Sequence, residues 1–128
     1  AEELLIDNLP FDLNDQIQKQ ILELRNTDKF STIQNWEEKG FSFPSDSVIN
    51  FMEFAVNNML NKIIESKENL TPYSIKEIIR HTHLKTFLQL DLEKRKFFAE
   101  VTYKLSFILK IDINRELKNY LIDYNNMY

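Results

Sequence analysis

The sequence predicts an all-α, single-domain bundle of about five helices arranged around a central hydrophobic helix. Its 128 residues are 43% hydrophobic and 28% charged, which is the balance of a globular domain. With one Gly and three Pro, tight turns between strands have few places to form. Apolar residues recur every three to four positions along most of the chain. That period is typical of helices buried along one side.

Two helices are predicted in the first third of the chain. The first runs from Asp12 to about Arg25 with Asp12 as its N-cap, and it carries the apolar series Leu13, Ile17, Ile21 and Leu24. The second spans Ser31–Lys39 and places Ile33 and Trp36 on one side. Gly40 is expected to end it, because glycine adopts the left-handed conformation that closes many helices.

The predicted central helix covers residues 45–66, with Ser45 or Asp46 as its N-cap. One apolar seam consists of Val48, Met52, Ala55, Met59 and Ile63. A second series widens it, namely Ile49, Phe51, Val56, Leu60 and Ile64. A helix that is apolar on so many sides is normally central in the fold.

Three further helices are predicted to surround it, over residues 72–90, 92–110 and 113–126. Thr71-Pro72 is a strong helix start, because proline at the first helical position loses no hydrogen bond that the helix needs. Asp91 and Asp112 are the expected N-caps of the other two. No internal repeat or long linker divides the sequence. Residues 1–128 are therefore expected to form a single helical domain.

The charge of the chain is acidic overall and unevenly distributed. The net charge is −4 and the pI about 5.2, with −7 on residues 1–69 and +3 on residues 70–128. An acidic chain is poorly suited to bind a phosphate backbone, which attracts clustered Lys and Arg. The asymmetry is interpreted as two solvated halves, with an electrostatic docking face as the alternative. No apolar run approaches the roughly 20 residues that span a bilayer, so no membrane span is expected.

The composition removes most familiar catalytic and cofactor sites. Without Cys there is no cysteine-ligated zinc and no cysteine nucleophile, and a single Gly excludes a glycine-rich phosphate loop. We therefore expect no cofactor, no metal site and no catalytic residues. The alternative is a metal-dependent hydrolase that uses Glu77 and His81, which share a helix face one turn apart. His83 lies about 200° around the helix from His81, and both histidines are expected to be solvated or to cap a helix.

The densest basic run is Lys94-Arg95-Lys96. It is interpreted as a solvated helix face near Asp91 and Glu93. The alternative is a weak nucleic-acid interface on the helix that follows Asp91.

Two aromatic clusters are the candidate partner-binding residues. Trp36, Phe41 and Phe43 surround Gly40, and large rings on a loop are frequent centres of recognition. Tyr120, Tyr124 and Tyr128 are spaced by four and would form a stripe along the last helix. Each cluster also has a structural interpretation, in which the first plugs the end of the bundle and the second is a packed edge.

The sequence thus favours a non-catalytic protein–protein interaction module of the immunity, inhibitor or adaptor type. Its expected partner is another protein or a second copy of the chain. The abundance of Asn, Ile and Lys, which have AT-rich codons, suggests a bacterium with an AT-rich genome. The compartment stays open: the chain is compatible with the cytoplasm, or with export if Ala1 follows a cleaved signal peptide.

Overall fold

The computed structural model describes residues 7–122, which fold into helices and contain no strand. The α-helices are α1 (Asp15–Asn26), α2 (Ile33–Glu38), α3 (Asp46–Glu65), α4 (Pro72–Phe87), α5 (Leu92–Leu109) and α6 (Asn114–Leu117). Short 3₁₀ helices cover Lys67–Asn69 and Asn119–Leu121. The predicted all-α fold is confirmed, and the helices share one continuous hydrophobic core.

Side-chain caps fix the starts of the long helices. Ser45 accepts a hydrogen bond from Val48 N, and Asp91 accepts one from Lys94 N. At the start of α4, Thr71 and Ser74 form a reciprocal capping box, which satisfies two backbone N–H groups at once. These starts agree with the predictions from the sequence.

The first helix begins later than predicted, and the expected cap Asp12 is wrong. Asn14 is the N-cap and accepts a hydrogen bond from Ile17 N. The chain before it is extended, because Phe11 N donates to the Leu70 carbonyl at 2.8 Å and Leu13 is buried in the core. The start of α1 is therefore set by a contact with residues nearly sixty positions away.

Gly40 ends α2 as predicted. Its φ is +74°, and the two hydrogen bonds of a Schellman motif close the helix, from Gly40 N to Glu37 O and from Phe41 N to Trp36 O. Helix α5 ends in the same left-handed conformation, but here the residue is Lys110, with φ +56°. A Cβ in that conformation clashes with the backbone, so Lys110 carries strain that glycine would not.

The core is shared between α3 and α5. Helix α3, the predicted central helix, packs against α1, α4 and α5 and buries six side chains. Nine residues of the 18-residue α5 are buried, so α5 is enclosed on more sides than α3. Phe30, from the loop before α2, stacks with Phe98 of α5 and packs edge-on against Phe97.

The predicted helix over residues 113–126 is wrong for residues 113–122, and residues 123–126 lie outside the described residues. Helix α6 ends at Leu117, a 3₁₀ turn follows, and Ile122 is extended. Asp112 does not occupy the N-cap position, which belongs to Ile113, although its carboxylate accepts a hydrogen bond from Asn114 N. The Arg95 guanidinium binds the carbonyls of Tyr120 and Ile122 at 2.6 and 3.0 Å, which provides these groups with the partners that a continuing helix would have supplied.

Among the described helices, none combines the length and the apolar character that a bilayer crossing requires.

Candidate functional site

A groove of about 480 Å³ lies between α4 and the segment 114–121. Arg80, Leu84 and Phe87 line it from α4, and Arg115, Glu116 and Asn119 line it from the opposite wall. A larger depression of about 690 Å³ runs along α1, but its lining is mostly exposed polar side chains. We treat the first groove as the candidate site because its floor is built from buried, hydrogen-bonded residues.

His83 forms part of that floor, and the prediction that it is solvated or a cap is wrong. Its Nδ1 lies 2.7 Å from the Ile79 carbonyl, and its Nε2 lies 3.0 Å from Thr102 Oγ1 on α5. A neutral ring that donates from Nδ1 accepts at Nε2 from the Thr102 hydroxyl, whose oxygen also lies 3.2 Å from the Phe98 carbonyl. Burial lowers the pKa of His83 to about 4, although the Ile79 hydrogen bond acts in the opposite direction.

Tyr120 is the second buried residue of the floor. Its hydroxyl lies 2.7 Å from Thr86 Oγ1, and its ring packs edge-on against His83 at 4.5 Å. Burial raises the pKa of Tyr120. Tyr120 is thus a packed residue in the described fold, whereas Tyr124 and Tyr128 lie outside the described residues.

The rim of the groove is apolar and cationic. Leu84, which lines the groove, is 60% exposed, and Leu88, one residue beyond the end of α4, is 88% exposed. Helix α4 and residues 114–121 together carry five Lys and Arg against two Glu, so these walls are positive although the whole chain is acidic. Part of that charge is already paired, because Arg80 holds the Glu77 carboxylate.

Glu116 is the acidic side chain that lines the groove. Within the described residues, its buried Oε1 has no hydrogen-bond partner. Burial raises the pKa of Glu116, while Lys76 and Arg115 act in the opposite direction.

Glu77 and His81 have different surroundings in the structure. Both oxygens of Glu77 accept hydrogen bonds from Arg80, at 3.2 and 2.8 Å, and that contact lowers the pKa of Glu77. His81 is exposed. Within residues 7–122, no group of three or more His, Cys, Asp or Glu side chains is placed to hold a metal ion.

The run Lys94-Arg95-Lys96 does not form one basic face, and its interpretation as a solvated helix face is wrong for Arg95. Arg95 is buried, with its guanidinium 4.5 Å from the Phe87 ring centroid and bound to three backbone carbonyls. Lys94 pairs with Asp91, and Lys96 is exposed. Arg95 fastens the 119–122 segment to α5 and so positions one wall of the groove.

The aromatic residues around Gly40 also differ in burial. Trp36 is fully buried: its indole N–H donates to Phe30 O at 2.7 Å and its ring lies 4.6 Å from Phe97. Phe41 is half-buried beside it, and Phe43 is exposed. Any partner contact of this cluster would therefore depend on Phe43 and the open edge of Phe41. That role stays a prediction.

Leu84 and Leu88 were missed by the sequence reasoning. The signal was present, because Leu84 lies nine positions after the buried Ile75 and so about 180° around the helix. An apolar residue directly opposite the buried face of an amphipathic helix is an expected surface residue, and a pair of them one turn apart forms a patch.

The chain matches no family model, and comparison with curated proteins and with solved structures finds no match. The function of the candidate site is therefore inferred from its geometry.

Proposed function

We propose that this protein is a non-catalytic binding module whose groove holds an acidic, apolar segment of another protein. The observation that carries the proposal is Leu84, which is 60% exposed in the lining of a groove with cationic walls and is followed four positions later by the exposed Leu88. Exposed apolar area next to fixed charge is typical of recognition surfaces.

The chemistry of the groove defines the partner. Leu84 and Phe87 offer an apolar strip along α4, while Arg80 and Arg115 flank it. Apolar side chains of a bound segment would lie on the strip, and its carboxylates would meet the guanidinium groups. A helix with an apolar stripe and acidic flanks fits this description best, because apolar and cationic side chains of residues 80–87 and 115–120 line the same groove.

The buried floor supports a binding role rather than a catalytic one. Both ring nitrogens of His83 have hydrogen-bond partners, and its pKa of about 4 leaves the ring neutral near pH 7. The Tyr120 hydroxyl is bound to Thr86 and its pKa is raised. These groups hold the walls together, and a general acid or base would need a pKa closer to neutrality. Immunity, inhibitor and adaptor proteins all act by stoichiometric binding of this kind.

The proposal is tested with a displayed library of amphipathic helical peptides that carry acidic flanks. We expect selected peptides to bind the full chain, and the affinity to fall with rising salt. Arg80→Glu with Arg115→Glu should weaken binding at least tenfold, and Leu84→Ser should weaken it several-fold. Phe107→Ser is the matched control, because Phe107 is 81% exposed but does not line the groove.

Two results would reject the proposal. The first is the absence of any peptide whose binding responds to the three groove substitutions. The second is turnover of a screened small molecule that depends on added zinc or manganese and is lost in Glu77→Gln or His81→Gln, which would favour the hydrolase alternative.

A further inference from the structure

We infer that the outer face of α3 is a self-association surface on which two copies of the chain pair as antiparallel helices. The face consists of Ser47, Asn50, Phe51, Phe54 and Asn58, all exposed. At about 100° per residue these five positions fall within one third of the helix circumference. Phe54 is 71% exposed, which is unusual for a large ring on a helix whose other side is core.

This face carries no charge, although the chain has a net charge of −4. Between Asp46 and Lys62 the only charged residue of α3 is Glu53. Its carboxylate points elsewhere, since it pairs with Lys29 and accepts hydrogen bonds from the backbone of Lys29 and Phe30. Two molecules that both carry a net charge of −4 repel each other. This repulsion is weakest when they approach through a face that has no charged side chains.

The sequence of the face is also self-complementary. Asn50 and Asn58 each lie four residues from Phe54. In an antiparallel pair centred on Phe54, the two Phe54 rings meet, and Asn50 of each copy lies at the height of Asn58 of the other. An amide both donates and accepts, so each Asn can pair with its counterpart. In the same register, Asp46 of each copy lies at the height of Lys62 of the other copy, so opposite charges lie side by side at both ends of the pair.

This reciprocity identifies a second copy as the occupant. In a two-fold interface, a residue of one copy that contacts a second residue of the other copy is matched by the reverse contact. The positions 46, 50, 54, 58 and 62 meet this condition, because Asp46 lies level with Lys62, Asn50 with Asn58, and Phe54 with Phe54. A single helix pair buries less than a standard protein interface. The dimer is therefore expected to be weak and concentration-dependent.

Sedimentation over a concentration series of the full chain tests the inference. Asn50→Asp with Asn58→Lys in one chain should strengthen the dimer several-fold, since the introduced carboxylate and ammonium then meet twice across the axis. Asn50→Asp with Asn58→Asp should weaken it about tenfold. Both variants change exposed positions, so circular dichroism should show an unchanged fold. A wild-type chain that stays monomeric at millimolar concentration, or equal behaviour of the two variants, would overturn the inference.

The absence of Cys gives an independent measurement. Asn50→Cys mixed with Asn58→Cys should form disulfide-linked heterodimers faster than either variant forms homodimers. Phe107→Cys, which is also at an exposed position but lies on α5, is the control for random collision. If it cross-links as fast as the mixed pair, no specific α3 interface exists.

Discussion

The Thr102 hydroxyl lies 3.0 Å from His83 Nε2 in the core between α4 and α5. The same imidazole binds the Ile79 carbonyl through Nδ1, so a neutral ring is fully satisfied. A protonated ring would donate at Nε2 to the Thr102 hydroxyl and would carry its positive charge inside an apolar environment. The pair therefore couples the protonation of one residue to the packing of two helices.

Acid is expected to destabilise the protein through His83. Its pKa is about 4 in the folded chain and near 6.5 when exposed, so the unfolded state takes up the proton first as the pH falls. The contribution of neutral His83 is complete above about pH 6.5 and is lost between there and about pH 4, for a total of about 3 kcal/mol. Urea unfolding from pH 7 to pH 4 measures this loss.

The matched variants are His83→Gln and His81→Gln. His83→Gln should be less stable at pH 7 and should lose less stability across this range than the wild type. His81→Gln changes an exposed ring and should keep the wild-type dependence. Parallel pH profiles for all three proteins would contradict the assignment to His83.

Removal of the Tyr120 hydroxyl is expected to reduce stability modestly. Tyr120→Phe breaks the 2.7 Å contact with Thr86 and should cost about 1 kcal/mol. Thr86→Val removes the other partner, and the double variant should cost less than the sum of the two single variants. Thermal unfolding of the four proteins provides this cycle. Strict additivity would mean that the two hydroxyls do not interact in solution.

Lys110→Gly is expected to stabilise the protein by up to about 1 kcal/mol. Lys110 ends α5 with φ +56°, where glycine avoids the Cβ clash. Gly40→Ala is the converse control at the end of α2, where φ is +74° and an added Cβ would meet no atom within 4 Å. It should destabilise by about 1 kcal/mol through backbone strain alone. Denaturant midpoints that shift in the same direction for both would be inconsistent with this account.

Glu53→Ala is expected to cost about 3 kcal/mol, because it leaves the Lys29 ammonium buried without its carboxylate. Glu53 Oε2 lies 3.0 Å from Lys29 Nζ, while Oε1 accepts from Lys29 N and Phe30 N. Glu77→Ala removes an exposed ion pair with Arg80 and should cost less than about 1 kcal/mol. Chemical denaturation compares the two, and equal losses would refute a buried role for Glu53.

The helices and most of their ends are local properties, and the sequence alone predicts them. Thr71-Pro72, Asp91 and Gly40 each act on backbone groups within three to five residues, so their effect can be read without knowing the fold. The apolar period likewise reports burial of one helix side, whatever that side packs against.

The tertiary structure decides what depends on distant partners. Arg95 binds carbonyls more than twenty residues away, which turns it from a basic surface inward and ends the last helix early. His83 and Tyr120 become buried because Thr102 and Thr86 offer them hydrogen bonds from other elements. A polar side chain usually lies on the surface unless the fold brings a hydrogen-bond partner to it. The spacing of the residues near it in the sequence does not reveal that partner.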